Sequence, residues 1–277
     1  MKKIVYQGEP GAYSHLAATR YYADYEAVAR PTFEDAFAAV REGAAALAMI
    51  PIENSLAGRV ADIHHLLPES GLKIVAEKFL RVNHQLMAPA GASLTSLRLA
   101  LSHPMALGQC RENLRRLGLR AAPAADTAGA ARLVSEAGDA SQAAIASELA
   151  AKIYGLEILK SDIEDADHNV TRFVLMAREL APPPNGDIIT SFVFRVRNIP
   201  AALFKCLGGF ATNGVNVTKL ESYQLGGAFQ ATQFYADLEG SPDEPAVARA
   251  LDELSYFSTR FEILGVYPAD PFRRSAG

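Results

Sequence analysis

Asp167-His168-Asn169-Val170-Thr171-Arg172-Phe173-Val174-Leu175-Met176-Ala177 puts an amide, a hydroxyl and a guanidinium at the mouth of an apolar run. Phe173 to Ala177 is continuous, β-prone and only five residues long, which predicts a short strand buried along its length. Such a strand has no structural need of Asn169, Thr171 and Arg172 at its entrance. Strand ends in open α/β sheets face ligand crevices, so these three groups are candidates for a binding wall. The competing reading is a turn capped by Asn169 with Arg172 solvated on the rim, and a short motif alone does not separate the two.

Upstream of this strand the pattern alternates. Ile4 to Gln7 predicts a strand, and Ser14 onward a helix with Leu16, Ala17 and Tyr21 on one side. Thr32 fits the N-cap of a helix carrying Phe33, Ala36, Phe37 and Val40. Leu47 to Ile52 predicts a buried strand ending at Glu53, and further strands are expected over Lys73 to Val82 and Leu97 to Leu101. Helices are expected over about Ala106 to Leu117 and Thr127 to Ala137. This alternation predicts an α/β architecture with a mainly parallel sheet covered by helices.

Downstream, Ala181-Pro182-Pro183-Pro184-Asn185-Gly186-Asp187 breaks the pattern, because consecutive prolines lack amide donors and favour extended geometry. The pattern then restarts. Ile188 to Val196 alternates Phe192, Phe194 and Val196 onto one face, and Pro200 opens a helix with Leu203, Leu207 and Phe210, with Gly214 at its C′ position. Strands over Asn216 to Ser222 and Ala228 to Leu238, a helix over Pro245 to Leu254 and a strand over Phe261 to Val266 complete a βαββαβ order, which predicts a ferredoxin-like sandwich.

Composition bounds the function class. A chain of 277 residues with 49% hydrophobic content suits about two domains with real cores. The net charge of −4 and the lack of a basic stripe argue against nucleic acid as a partner. Met1 to Gln7 carries too few apolar residues for a secretory segment. No apolar stretch approaches the ~18 residues of a membrane span. Cys110 and Cys206 are the only cysteines and lie far apart, so no disulfide framework is expected. Both read as packing residues. The adjacent His64 and His65 point different ways on a helix, and no metal-ligand spacing accompanies them. These features predict a soluble cytoplasmic protein without a metal.

Five segments, in order, carry a resemblance. Asn169-Val170-Thr171-Arg172-Phe173 resembles the signature of prephenate dehydratases. Gly8 to Ser14 resembles the amino-terminal loop of that family, Pro51 to Gly58 its second motif, and Ser102-His103-Pro104 with Gln109-Cys110 its third. Gly214 to Ser222 resembles the regulatory ACT domain found with it. The resemblance implies a catalytic domain over residues 1–180 made of two lobes around a cleft, similar to periplasmic binding proteins. Lobe one would hold about 1–78 and 160–180, and lobe two about 79–159. A linker over 181–187, an ACT domain over 188–268 and a tail over 269–277 would follow.

The implied reaction removes carbon dioxide and hydroxide from prephenate to give phenylpyruvate, in phenylalanine biosynthesis. Aromatisation drives it, so the demand on the protein is a hydrogen-bond donor at the leaving oxygen and donors for two carboxylates. It needs no cofactor, metal or covalent nucleophile. The family's catalytic threonine corresponds to Thr171, whose alternative role is a backbone bond at a strand entrance. Arg172 suits a carboxylate clamp or a structural ion pair. Glu53 and Asn54 end a strand; Asn54 can orient a polar substrate group, whereas Glu53 would have to accept from the substrate hydroxyl or be protonated. Ser55, Ser102 and Gln109 are neutral donors for carboxylate oxygens, and Ser102 equally suits an N-cap before Pro104. Phe173 completes the substrate-binding set. The Gly8 to Ser14 loop is either an anion cradle at a helix start or an ordinary turn.

ACT domains pair around a small amino acid, so a homodimer or homotetramer is implied. L-phenylalanine would be the effector, held by Ala202, Leu203, Gly214, Asn216, Glu221 and Ser222. Two departures stand out: Ala201 replaces a glycine common in the family, and Tyr223-Gln224 replaces Arg-Pro, removing a charge. An arogenate dehydratase and a non-catalytic amino-acid sensor are the alternative functions.

Overall fold

The computed structural model describes residues 1–180, 186–225 and 231–275. Most of the expected Pro-rich linker, the start of the strand expected from Ala228 and the last two tail residues lie outside these. The chain forms two compact units, Met1–Val60 with Lys78–Phe173, and Ala61–Glu77 with Val174–Gly277.

In chain order the elements begin with β1 (Lys2–Gln7), α1 (Tyr13–Tyr21), β2 (Tyr25–Arg30), α2 (Phe33–Arg41), β3 (Leu47–Asn54) and β4 (Gly58–Arg59). Then come α3 (Ala61–Leu66), β5 (Lys73–Arg81), β6 (Gln85–Ala88), β7 (Leu99–Ser102), α4 (Pro104–Gln109) and α5 (Arg111–Arg116). Next are β8 (Arg120–Pro123), α6 (Thr127–Ala137), β9 (Gln142–Ala146), α7 (Glu148–Tyr154), β10 (Glu157–Lys160) and β11 (Val170–Ala177). The remainder is β12 (Ile188–Arg195), α8 (Ala202–Thr212), β13 (Val217–Gln224), β14 (Ala231–Glu239), α9 (Pro245–Phe257), β15 (Arg260–Pro268) and α10 (Phe272–Ser275).

The first unit contains two groups of strands. β1 pairs in parallel with both β2 and β3, and its Ile4, Val5 and Tyr6 are buried. The second group runs β10-β6-β9-β7-β8, parallel on both sides of β7 and antiparallel from β9 through β6 to β10. The expected cap holds α2, Thr32 Oγ1 accepting from Asp35 N at 3.0 Å, and α6 ends at Gly138 with φ 60°. Asp126 Oδ1 caps the start of α6 by accepting from Gly129 N at 2.8 Å.

Some expectations need correction. The helix expected over Ala106 to Leu117 is two helices, because Cys110 leaves helical geometry at φ −113°, ψ 13°. The residue capping α4 is His103, whose Nδ1 accepts from Met105 N at 3.2 Å; Ser102 is not the cap. Strands β2, β6, β8, β9 and β10 and helix α7 carried no legible pattern. β9, Gln-Ala-Ala-Ile-Ala, has weak strand propensity, and complete burial of Ala143 to Ala146 between neighbours decides its state.

In the second unit the βαββαβ run β12-α8-β13-β14-α9-β15 forms a sheet of order β13-β14-β12-β15, with antiparallel neighbours. Phe192, Phe194, Ala236 and Leu238 alternate onto the face covered by Cys206 and Phe210 of α8 and Val247, Leu251 and Leu254 of α9. β15 also pairs with β5 at Gly265 and Ile74. Helix α8 starts at Ala202, later than expected from Pro200, and Ala201 before it adopts the left-handed conformation at φ 62°, ψ 8°. Gly214 sits just beyond the α8 cap at φ 67°, as its C′ placement required.

Candidate functional site

A cavity of about 440 Å³ opens within the first unit. The β1–α1 loop, the end of β3, the start of β11, α4 and the start of α6 all contribute to its lining. Of the residues singled out from the sequence, Asn54, Gln109, Thr171 and Phe173 line it. Tyr13 and His103, each inside a quoted motif but given no role, line it as well, as do Arg59, His84 and Asp126, which carried no sequence signal.

Asn54 is the hub. Its Oδ1 accepts from the backbone N–H groups of Leu56 and Ala57 at 3.0 and 2.9 Å, which fixes the amide orientation. Its Nδ2 faces Asn169 Oδ1 at 2.7 Å, Thr171 Oγ1 at 3.0 Å and the Val170 carbonyl at 3.2 Å. An NH2 group can only donate, so Thr171 Oγ1 accepts, and among the described residues its own proton meets no acceptor. That proton is left for whatever occupies the cavity. Behind Asn54, Asn169 Nδ2 donates to Gln109 Oε1 at 3.1 Å, and the same oxygen lies 2.9 Å from His84 Nε2. Tyr13 Oη closes the line at 2.7 Å from His84 Nδ1 and 3.0 Å from the Asn83 carbonyl. Burial lowers the His84 pKa, partly opposed by Gln109 and Glu164, and burial raises the Tyr13 phenol well above its ordinary value. Both groups are therefore neutral near pH 7.

The other expected substrate contacts lie off the cavity. Arg172 is buried to 2% exposure with Nη1 2.9 Å from Glu53 Oε1, so the guanidinium is engaged in the ion pair that was its alternative role. Neither residue is in the lining. Ser55 Oγ donates to the His168 carbonyl at 2.6 Å and accepts from Val170 N at 2.9 Å, which fastens the motif segment to the end of β3. Ser102 is fully buried and donates to the Ile145 carbonyl at 2.6 Å, stitching β7 to β9.

The amino-terminal loop borders the cavity at Gly8, Ala12, Tyr13 and Ser14, and three of its amides are used internally. Gly8 N bonds the Arg30 carbonyl, Ala12 N the Glu9 carbonyl, and Gly11 N donates to His15 Nδ1, so these amides are occupied. Gly11, at φ +95°, lies where a Cβ would come within 2.8 Å of the Ala150 Cα, so only glycine fits against α7. Cys110 is buried in the core beside Leu114, and burial pushes its thiol pKa up, leaving it unreactive.

The residues expected to hold an effector belong to the second unit. Ala202 and Leu203 open α8, and Glu221 and Ser222 lie on β13. Asn216 Nδ2 donates to Glu239 Oε2 at 2.9 Å, and Lys219 Nζ to Glu221 Oε1 at 3.3 Å. Tyr223 is buried, its hydroxyl accepting from Gln233 Nε2 at 2.8 Å and its ring 5.2 Å from that of His65. Among the described residues no group of three or more His, Cys, Asp or Glu side chains is placed to hold a metal ion. No helix among them is long and apolar enough to cross a membrane.

Comparison with known proteins places this architecture. The model of the prephenate dehydratase family matches residues 4–181. A protein of Komagataeibacter europaeus described as a bifunctional N-acyl-homoserine lactone acylase/prephenate dehydratase is 53% identical over 98% of this chain and 97% of its own length. Arogenate dehydratase/prephenate dehydratase 2 of Arabidopsis thaliana is 42% identical over 97% of this chain and 73% of its own. The crystal structure of prephenate dehydratase from Arthrobacter aurescens in complex with L-Phe superposes with a TM-score of 0.88 at 30% identity, covering 96% of this chain and 90% of that one. The chain belongs to the prephenate dehydratase family.

Proposed function

We propose that the protein is a prephenate dehydratase that converts prephenate to phenylpyruvate, with residues 1–180 as its catalytic domain and 188–268 as a ferredoxin-like ACT regulatory domain. The observation that carries this reading is Thr171: it lines the cavity, accepts from Asn54 and keeps its own proton for a ligand oxygen. In the reaction the bond from the ring to the carboxylate breaks. Its electron pair becomes ring π density, and the C–O bond breaks with its pair on the departing oxygen. The Thr171 hydroxyl donates to that oxygen as charge grows on it, and the bond strengthens along the way. Phe173 and the apolar lining pack the ring, and Gln109 offers amide protons to a carboxylate. Arg59 supplies a guanidinium to the lining and is given the cationic role. Residues 1–180 would act as two lobes, with L-phenylalanine as effector at a pair of ACT domains in a homodimer or homotetramer.

Arogenate is the second reading, favoured by one feature. Asp126 is the only carboxylate among the described lining residues, and it could pair with the ammonium group that arogenate carries in place of the keto group. Side-by-side turnover of prephenate and arogenate by the purified protein tests both. Faster conversion of prephenate supports the first reading, preference for arogenate the second, and turnover of neither defeats both. Calorimetry with L-phenylalanine tests the effector, and absence of binding would remove it.

A further inference from the structure

The hydrogen-bond sense of the cavity wall is set by the backbone. Backbone N–H groups can only donate, and those of Leu56 and Ala57 both meet Asn54 Oδ1. Asn54 must therefore turn its Nδ2 on Asn169 Oδ1. Asn169 in turn must aim Nδ2 at Gln109, and Gln109 must answer with Oε1. His84 Nε2 faces that same oxygen, which can only accept, so the ring carries its proton on Nε2. With the ring neutral, His84 Nδ1 is then an acceptor for the Tyr13 hydroxyl, whose single proton it shares with the Asn83 carbonyl at 3.0 Å. No link from Asn54 to His84 Nε2 can be reversed unless a backbone amide becomes an acceptor.

We propose that His84 is a positioning residue: its Nε2–H and the Asn169 amide together hold Gln109 Oε1, so that Gln109 turns both amide protons on the ligand. Two donors on one oxygen occupy both its lone pairs. Among the described residues Gln109 Nε2 meets no acceptor, and Gln109 lines the cavity. Gln109 and Thr171 thus offer protons only, a wall matched to oxygens that bear or develop negative charge. With the Asn169 bond alone, Gln109 would be held by one contact and could present its oxygen to the ligand part of the time. Burial of the ring keeps His84 neutral near neutral pH.

The tautomer is the direct test. Long-range ¹H–¹⁵N correlation of His84 in the full-length protein should report the Nε2–H form, and the Nδ1–H form would overturn the proposal. A second test uses two variants, on whichever of prephenate and arogenate the wild type consumes. A glutamine amide can place an N–H near the position of Nε2–H, whereas leucine fills space without a donor. We expect H84L to lose about 10-fold to 100-fold in kcat/KM, the scale of a misplaced binding group, and H84Q to recover most of that loss. Equal losses in H84L and H84Q at matched melting temperatures would make His84 a packing residue and refute its positioning role. The activity test rests on the dehydratase reading. If the wild type turns over neither substrate, that reading fails and the tautomer alone decides the proposal.

Discussion

The wall around Asn54 and the cluster around Glu77 both take polar side chains out of water, but the first presents neutral groups and the second charged ones. Asn54, Asn169, Gln109 and His84 pass hydrogen bonds in one direction and leave donors over at Thr171 and Gln109. In the second unit, Arg273 grips the fully buried Glu77 through Nε at 2.6 Å and Nη2 at 2.9 Å, and Asp270 N adds a third donor at 3.0 Å. Nearby, Asp237 accepts from Ser191 Oγ at 2.5 Å, and the hydroxyls of Tyr267 and Tyr235 meet that Oγ at 2.6 and 3.0 Å. Charges that answer each other hold a chain in place, here the segment carrying Arg273. A neutral wall that keeps donors in hand stays poised for a ligand that brings the charge. The ion pair of Arg172 and Glu53 belongs with the charged cluster in kind although it stands beside the wall.

The largest expected effect follows from the wall. Thr171→Val removes the donor but keeps the shape, so turnover should fall by roughly 10²–10⁴ while the melting temperature moves little. Steady-state kinetics with a thermal melt checks both halves. A large loss of stability at unchanged turnover would place Thr171 with the structural cluster. The reciprocal change is Arg273→Ala, which strands the Glu77 carboxylate in the interior. It should cost about 3 kcal/mol in urea unfolding, near the low end for a broken buried pair because the Arg273 side chain is 21% exposed. Turnover at saturating substrate should survive wherever the protein stays folded.

How much of this contrast the sequence exposed depends on distance along the chain. Asn54, Thr171 and Gln109 sit within short motifs at element ends, so their residue types alone suggested a ligand. The hydroxyls of Ser55 and Ser102 looked the same on paper, yet both are bonded to backbone, because a serine beside a turn serves either purpose. His84 was invisible: its partner Tyr13 is 71 residues away, and only the fold brings them together. The strands of the second unit were legible because Phe192 and Phe194 alternate cleanly, whereas the alanines of β9 signal nothing until neighbours bury them. Ala201 is an instructive intermediate. Its departure from a glycine common in the family was visible, and the structure supplies the reason for that glycine, a left-handed φ of 62°. Ala201→Gly should relieve about 1 kcal/mol of that strain, offset in part by the greater freedom of the unfolded chain. A small rise in the urea midpoint would confirm it, and a fall would show that the Cβ contributes packing.

The smallest effect concerns protons and separates the two regions by their response to acid. Burial lowers the pKa of His84 and of His15, which accepts from Gly11 N and stacks on Tyr6, below the ordinary 6.5. The unfolded chain therefore binds protons at these sites before the folded protein does. Stability contributed by the neutral rings is present above about pH 6.5 and is lost as the pH falls below it. Acid also weakens carboxylate pairs such as Glu77 with Arg273, so a falling melting temperature alone assigns nothing. The difference between wild type and H84Q does, because the carboxylates are common to both and cancel. From about pH 7.5 to about pH 5.5 the wild type should lose more melting temperature than H84Q. Parallel curves would mean that His84 binds its proton as readily folded as unfolded, against the lowering that burial of its ring produces.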